Sequence, residues 1–283
     1  MVAHGISWLT FWPQARHPAD HTLHQTSNFE PETFLMHRFY IAPENWNADP
    51  MVLSGSEAHH ARNVLRMQRG EKAIIFNGRG REMTAEIIDP GPGAIRFRKL
   101  HEAETPALRC RIALGQAIPK GKNMELIVQK AVEIGAAEVF SLISERTIVD
   151  LDPKEAVQKQ TKWQQVAIEA AKQCGQNWLP QITAPQKLAR FFGDVPQYDL
   201  QLIGSLQGDA QHLKKILANY TGEHRHLPTS VLVLIGPEGD FTPAELSLAR
   251  RHGCLPIILG PIILRVETAA IYCLSVLSYE LLG

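Results

Sequence analysis

The segment VLVLIGPEGDFTPAEL, residues 231–246, has the pattern of a buried strand followed by a helix. Its apolar run passes through Gly-Pro-Glu-Gly to Thr242, which has the spacing of a helix N-cap with Glu245 three residues later. Pro243 suits the first helical position. The loop 236–240 is therefore predicted at the carboxyl end of a strand, where open α/β sheets bind ligands. A tight turn that needs glycine only for its backbone angles is the alternative interpretation.

Two further glycine loops follow strand candidates in the C-terminal half of the chain. Gly204-Ser205 comes after DLQLI, and Gly260-Pro261 comes after an apolar run that ends at Leu259. Backbone groups of neighbouring loops would face one cleft, and such groups suit a purine ring and an amino-acid moiety. Neither the P-loop pattern nor the dinucleotide-binding pattern occurs, so a nucleoside triphosphate or a dinucleotide is not indicated.

From residue 109 onward, strand candidates alternate with helical patterns. Apolar spacing predicts helices at 122–136, at 154–174 and from about 267 to 282. The strands between them read as continuous apolar runs, which indicates an α/β fold with a mostly parallel sheet and helices on both faces. On the last helix, one apolar face suits a dimer contact or the core of one chain equally well: Ile271, Leu274, Leu277 and Leu281.

Residues 36–108 have a different, β-rich pattern. Short strand candidates are separated by Gly, Pro, Asn and Asp turns, which predicts a small barrel or curled sheet. One short helix is expected at 56–67, with Ser56 as its cap and a buried stripe of Ala58, Ala61, Val64 and Leu65. Residues 1–35 show no period, and MHRFYIAPENW from Met36 resembles an ordinary protein start. We expect a disordered extension or a start codon assigned too far upstream.

Charge balance, cysteine spacing and the length of apolar runs exclude several classes of protein. The 29 basic residues balance 29 acidic ones, so the chain is not basic overall. Six basic residues and one acidic residue, Glu71, lie between His59 and Arg81, which predicts a local phosphate-facing patch or an ordinary solvated face. Four scattered cysteines argue against a zinc ribbon and indicate reduced thiols in the cytoplasm. The same scattered cysteines lead us to expect no metal. Apolar runs are shorter than the roughly 20 residues of a membrane span, so we expect no membrane partner.

The order of the motifs resembles a known family. LIGPEGDFTPAEL (234–246) followed by LGPIILRVETAA (259–270) is similar to the paired signature of the RsmE-type 16S rRNA (uracil-N3) methyltransferases, a branch of the SPOUT superfamily. Upstream segments resemble the family in the same order: HHARNVLRM (59–67), PKGKNMELIVQKAVEIGA (119–136), SERTIV (144–149) and AIEAAKQCGQNWLP (167–180). The resemblance extends from Met36 almost to the end of the chain.

The resemblance implies a fold, a cofactor and an assembly. Residues 36–108 would form a PUA-like β-barrel, and residues 109–283 a SPOUT domain with a trefoil knot, one of the rare exceptions to unknotted chains. S-adenosylmethionine would bind where the loops meet, and the enzyme would be a homodimer. The implied cofactor-binding residues are Ile203, Gly204, Ile235, Gly236, Pro237, Glu238, Gly239, Leu259, Gly260, Ile263 and Leu264.

The implied reaction is methyl transfer to N3 of one uridine in the decoding region of 16S rRNA, within the small ribosomal subunit. Arg265 is the candidate cation that stabilises charge on the uracil carbonyls. Glu267 would orient Arg265 or act as a base, with Glu238 as a second candidate; a helix N-terminal carboxylate that complements the helix dipole is the alternative for Glu267. The candidate RNA-binding residues are Arg38, His59, Arg62, Arg66, Arg69, Arg79, Arg81, Lys120 and Lys122.

The sequence departs from the family pattern at three positions. Ile262 and Gln176 stand where the family usually has Arg, and Val266 replaces a Thr. These changes put some phosphate contacts in doubt. A SPOUT methyltransferase that acts on tRNA and a non-catalytic RNA-binding assembly factor are the alternative functions.

Overall fold

The N-terminal part of the computed structural model, which describes residues 36–147 and 151–283, is a five-stranded sheet. Its strands are β1 (Arg38–Tyr40), β2 (Met51–Ser54), β3 (Lys72–Phe76), β4 (Arg81–Pro90) and β5 (Ala94–Glu104). Their order is β1-β3-β4-β5-β2, with β1 parallel to β3 and the other pairs antiparallel. Irregular register between β4 and β5 is typical of bulges, which bend a sheet. The predicted curled β-domain is confirmed, as a half-barrel with its own apolar core. The extension predicted at 1–35 lies outside the described residues.

The short helix of this domain differs from the prediction. Helix α1 (Gly55–His59) begins before Ser56, and it continues as a π-helical turn at His60–Val64. Ala58 and Ala61 are buried as expected, whereas the side chain of Val64 is 62% exposed. A π turn contains more residues than an α turn, so the i+3 spacing no longer returns to the buried face. The predictions of Ser56 as the cap and of Val64 as a core residue were wrong.

The C-terminal part contains an eight-stranded sheet in which every pairing is parallel. The strands are β6 (Arg111–Ala117), β7 (Glu138–Ile143), β8 (Gln181–Ile182), β9 (Gln186–Lys187), β10 (Leu200–Gly204), β11 (Gln211–His212), β12 (Ser230–Ile235) and β13 (Leu255–Ile258). Their order is β11-β13-β10-β12-β6-β7-β8, and β9 also pairs with β7. Strand β10 lies between β12 and β13 in the sheet. The ends of these three strands, which are far apart in the sequence, are therefore neighbours.

Helices cover both faces of this sheet, as predicted. They are α2 (Asn123–Ile134), α3 (Pro153–Cys174), α4 (Leu188–Asp194), α5 (Leu213–His224), α6 (Pro243–Arg251) and α7 (Val266–Leu282). Side chains of α2, α3, α5 and α7 share one core with β12, and side chains of α4 and α6 share the other. The capping box predicted at Thr242 and Glu245 is present at the start of α6.

A buried polar junction joins the β-domain to the segment after α3. The side-chain oxygen of Asn177 accepts a hydrogen bond from Arg38 at 2.6 Å, and its amide nitrogen donates to Glu82 and to Thr105, both at 2.9 Å. The backbone carbonyl of Asn177 accepts from Gly80 N at 2.9 Å. Asn177 is only 3% exposed. These contacts fix the hairpin between β3 and β4 onto the α/β part, and residues 36–283 form one compact unit.

Candidate active site

A cavity of about 490 Å³ lies at the carboxyl ends of β10, β12 and β13. Its size is within the range of small-molecule sites. The three glycine loops predicted from the sequence meet in its wall. The predicted residues that line it are Gly204, Ile235, Gly236, Pro237, Glu238, Leu259, Gly260, Ile263, Leu264, Arg265 and Glu267. The structure thus brings together most of the candidate cofactor-binding residues and all three candidate catalytic residues.

Two of the candidate cofactor residues lie outside the cavity lining. The side chain of Ile203 is fully buried in the core on the opposite face of the sheet, because alternate residues of a strand point to opposite faces. Gly239 faces Arg146, whose guanidinium donates to the Gly239 carbonyl. Their contact with a cofactor stays a prediction, and it would have to be made through backbone atoms.

The cavity lining also contains residues that the sequence analysis did not select. They are Asn123, Ser205, Leu206, Asp240, Ile257, Ile258, Ile262, Val266 and Ala269. Most of these are chain neighbours of the predicted residues. Asn123 is different, because it comes from the start of α2, far from the glycine loops in sequence. The Lys-rich linker before α2 was the only signal near it.

Glycine is required at two positions of the cavity wall. A Cβ atom on Gly236 would lie 3.2 Å from the backbone nitrogen of Phe241 and 3.3 Å from backbone atoms of Asp240. These atoms belong to the same loop and can move only if the loop changes shape. Gly260 has a φ of 145°, a conformation that side-chain-bearing residues rarely adopt. The backbone at both loops is therefore free of side-chain atoms that would obstruct a ligand.

Hydrogen bonds tie the loops to one another. Leu206 N donates to the Asp240 carboxylate at 3.4 Å, which joins the loop after β10 to the loop after β12. Lys120 N donates to Glu238 Oε1 at 2.9 Å, which joins the linker before α2 to the same loop. The carboxylate of Glu245 caps its own helix and also accepts from Glu145 N at 2.9 Å. The cavity wall is thus held from several elements at once.

The charged side chains at the cavity differ in how they are held. Glu267 Oε2 accepts a hydrogen bond from the amide of Asn123 at 3.1 Å, and Glu238 is held by Lys120 N. Arg265 precedes α7, lines the cavity and is exposed, with no side-chain capping bond. Within the described residues, then, three hydrogen-bonded carboxylates (Glu238, Asp240 and Glu267) and one exposed cation share this site. Such a set can hold a proton acceptor and stabilise developing negative charge.

The candidate RNA-binding residues divide into two groups. Most are exposed, as phosphate contacts require: His59, Arg62, Arg66, Arg69, Arg79, Lys120 and Lys122. Arg81 is half-buried, forms an ion pair with Glu102 and lies 5.4 Å from the centre of the Trp46 ring. The Arg38 side chain is 11% exposed and lies 3.0 Å from Glu82. Because its charge is compensated inside the domain junction, a structural role replaces the RNA contact predicted for Arg38.

Comparisons with known proteins agree with this architecture. Residues 106–278 match a family described as an RNA methyltransferase domain, and residues 53–100 match an RNA methyltransferase PUA domain. The chain is 30% identical over 240 residues to the ribosomal RNA small subunit methyltransferase E of Bacillus subtilis. The aligned region covers 82% of this chain and 91% of that protein. The chain belongs to the ribosomal RNA small subunit methyltransferase E family. The resemblance drawn from the sequence motifs is confirmed.

Solved structures of methyltransferases share the fold. The ribosomal RNA small subunit methyltransferase E of Neisseria gonorrhoeae, solved with S-adenosyl methionine bound, is 28% identical with a TM-score of 0.74. That match covers 87% of this chain and 98% of the other. A protein of Legionella pneumophila, solved in complex with the cofactor SAM, is 33% identical with a TM-score of 0.76, and the match covers the same shares of the two chains. The half-barrel followed by a parallel α/β sheet is thus the fold of the ribosomal RNA small subunit methyltransferase E family.

Neither a metal-binding cluster nor a membrane-spanning helix is found in the described residues. Within residues 36–147 and 151–283, His, Cys, Asp and Glu side chains form no cluster of three or more that could hold a metal ion. Over the same residues, no helix combines the length and the apolar character that crossing a bilayer requires.

Proposed function

We propose that the protein transfers a methyl group from S-adenosylmethionine to N3 of one uridine in 16S rRNA of the small ribosomal subunit. The observation that carries the proposal is the single cavity in which three glycine loops meet beside Arg265, Glu238 and Glu267. Membership of the ribosomal RNA small subunit methyltransferase E family supports the substrate class. Substrates in the ribosome imply a cytoplasmic enzyme.

The residues of the cavity fit S-adenosylmethionine. Ile235, Leu259 and Leu264 provide apolar surface for an adenine ring, and the loop backbones provide N–H and C=O groups for its edges. Gly236 and Gly260 keep side-chain atoms away from those backbones. Two similar methyltransferases were solved with this cofactor bound. When bound, S-adenosylmethionine supplies an electrophilic methyl carbon on its sulfonium.

The charged residues fit the requirements of a uracil N3 nucleophile. N3–H is a weak acid that is mostly protonated at neutral pH, so the site must favour loss of this proton. Glu267, or Glu238, would accept this proton; alternatively, Glu267 would orient Arg265. The Arg265 cation would stabilise the negative charge that spreads onto the O2 and O4 carbonyls. Alignment of N3 with the methyl carbon contributes further.

The exposed basic residues of the β-domain and of the linker before α2 would contact RNA phosphates. Their positive charge supports affinity without reading sequence, because phosphates are the same at every nucleotide. The target uridine must be unpaired or extruded to reach the cavity. Lys120 and Lys122 lie on the segment that contacts Glu238, so they would extend the RNA path from the patch to the cavity.

The homodimer and the knot are further parts of this proposal. Leu274, Leu277 and Leu281 pack in the core of their own chain, so they are not the dimer contact. The outward face of α7 instead presents two aromatic rings, Tyr272 at 46% and Tyr279 at 82% exposure. Aromatic residues are enriched at protein interfaces, which supports a dimer through α7. The trefoil knot is supported by family membership and by the placement of β10 between β12 and β13.

Methyl transfer to isolated substrates tests the proposed function. The protein is incubated with radiolabelled S-adenosylmethionine and either small subunits from cells that lack the enzyme, protein-free 16S rRNA or tRNA. We expect label in 16S rRNA, strongest with assembled subunits, and 3-methyluridine after digestion to nucleosides. Label in tRNA instead would favour the tRNA methyltransferase, and the absence of label from every RNA would favour the non-catalytic assembly factor.

A further inference from the structure

Asn123 connects the starts of two helices at the cavity. It is the first residue of α2, and its side-chain nitrogen lies 3.1 Å from Oε2 of Glu267, in the first turn of α7. The two residues are 144 positions apart in the sequence, and both line the cavity. A carboxylate only accepts hydrogen bonds, so the Asn123 amide must turn its NH2 group toward Glu267.

The contact leaves part of the carboxylate available. Asn123 occupies Oε2, and no described residue donates a hydrogen bond to Oε1. An amide is neutral, so it orients the carboxylate without cancelling its charge, as a paired lysine or arginine would. Glu267 therefore keeps one oxygen and its negative charge for a group inside the cavity.

The position of Asn123 is fixed from both sides. On one side, Lys120 N is bound to Glu238 Oε1 at 2.9 Å. On the other, Met124 and Ile127 of α2 are buried in the core that also contains α7. The segment 120–123 therefore contacts two of the cavity's three carboxylates, Glu238 through a backbone N–H and Glu267 through a side chain.

We propose that Asn123 is a positioning residue for the methyl transfer: it holds the Glu267 carboxylate so that its second oxygen faces the proton on uracil N3. This inference rests on the proposed function, because it assigns Glu267 to that proton. Asn123 acts through Glu267, the carboxylate to which its amide is bound. Its removal should lower the turnover rate and leave the affinity for S-adenosylmethionine unchanged.

A double-mutant cycle tests the inference. The variants are Asn123→Ala, Glu267→Gln and the double variant, with kcat measured on small subunits at saturating S-adenosylmethionine and the cofactor Kd measured by titration. Loss of one hydrogen bond to a charged group predicts that Asn123→Ala lowers kcat about tenfold. In the Glu267→Gln background the same substitution should change kcat less than about twofold, because the two residues act as a unit.

Two further variants distinguish positioning of Glu267 from a general loss of structure. Asn123→Asp keeps the size of the side chain but places a carboxylate against Glu267, so it should lower kcat at least as much as Asn123→Ala. Asn219→Ala, at an exposed position of α5, is the control and should keep the parent rate.

Each result decides a different question. The inference is overturned if Asn123→Ala keeps the parent kcat, if its loss multiplies with that of Glu267→Gln, or if Glu267→Gln itself transfers methyl normally. Methylation by the parent protein in these cases still supports the proposed function. A parent protein that methylates no RNA overturns the proposed function and this inference together.

Discussion

Substitution of Asn177 by alanine should loosen the junction between the β-domain and the α/β domain. The substitution removes side-chain hydrogen bonds to Arg38, Glu82 and Thr105, of 2.6, 2.9 and 2.9 Å. Bonds to charged partners contribute about 1.5–3 kcal/mol each and a neutral one about 1 kcal/mol. Because Arg38 and Glu82 keep each other as partners at 3.0 Å, we expect a net loss of about 3–4 kcal/mol in the free energy of unfolding rather than the full sum.

Urea and thermal unfolding of Asn177→Ala measure this loss. For a chain of this size the midpoint should fall by roughly 10 °C. Asn219→Ala, which removes an exposed asparagine on α5, is the matched control and should change stability by less than about 0.5 kcal/mol. The KM for small subunits should rise because the basic hairpin is no longer held, while the cofactor Kd stays constant. A loss below about 1 kcal/mol would refute the structural role assigned to this junction.

Two substitutions test the candidate active site, and thiol labelling tests the described cores. Arg265→Ala should reduce methyl transfer at least about a hundredfold, since a cation placed at the developing negative charge contributes several kcal/mol, with little change in cofactor affinity; normal turnover would remove Arg265 from the mechanism. Gly236→Ala should weaken cofactor binding about tenfold because its Cβ crowds the loop backbone, whereas Gly193→Ala, which meets nothing within 4 Å, should bind normally. Equal affinities would show that the loop tolerates a side chain. Thiol labelling should modify Cys174 first in the native protein, because it is the exposed thiol: burial raises the pKa of Cys174 as well, but Cys110, Cys254 and Cys273 are enclosed and their pKa is raised to about 11 or 12; labelling of several thiols without unfolding would contradict the described cores.

Local sequence signals predicted much of this fold. The capping box at Thr242 and Glu245 depends on neighbours within one turn, so it could be read directly from the chain. Continuous apolar strands predicted the parallel sheet because both faces of such a sheet are buried. Helix α5 was not predicted, although Leu213, Ile216 and Leu217 have helical spacing and are buried, so local spacing was sufficient to indicate it.

Contacts between residues that are distant in the sequence could not be predicted from local patterns. Asn123 meets Glu267 only because α2 and α7 pack side by side, and spacing within one helix carries no information about that contact. The sequence gives no sign that Arg38 is paired, because its partners Asn177 and Glu82 are distant in the chain and meet it only in the folded structure. Similarly, the spacing on α7 could not distinguish a dimer contact from a core, and Leu277 lies in the core.

A crystal structure with S-adenosylhomocysteine, the demethylated product, would show whether the methyl donor binds where the three glycine loops meet. We expect the nucleoside in the cavity between Gly204, Gly236 and Gly260, with its sulfur facing the side of Arg265 and Glu267. Binding at a different surface, or an empty cavity in crystals grown with saturating ligand, would contradict it.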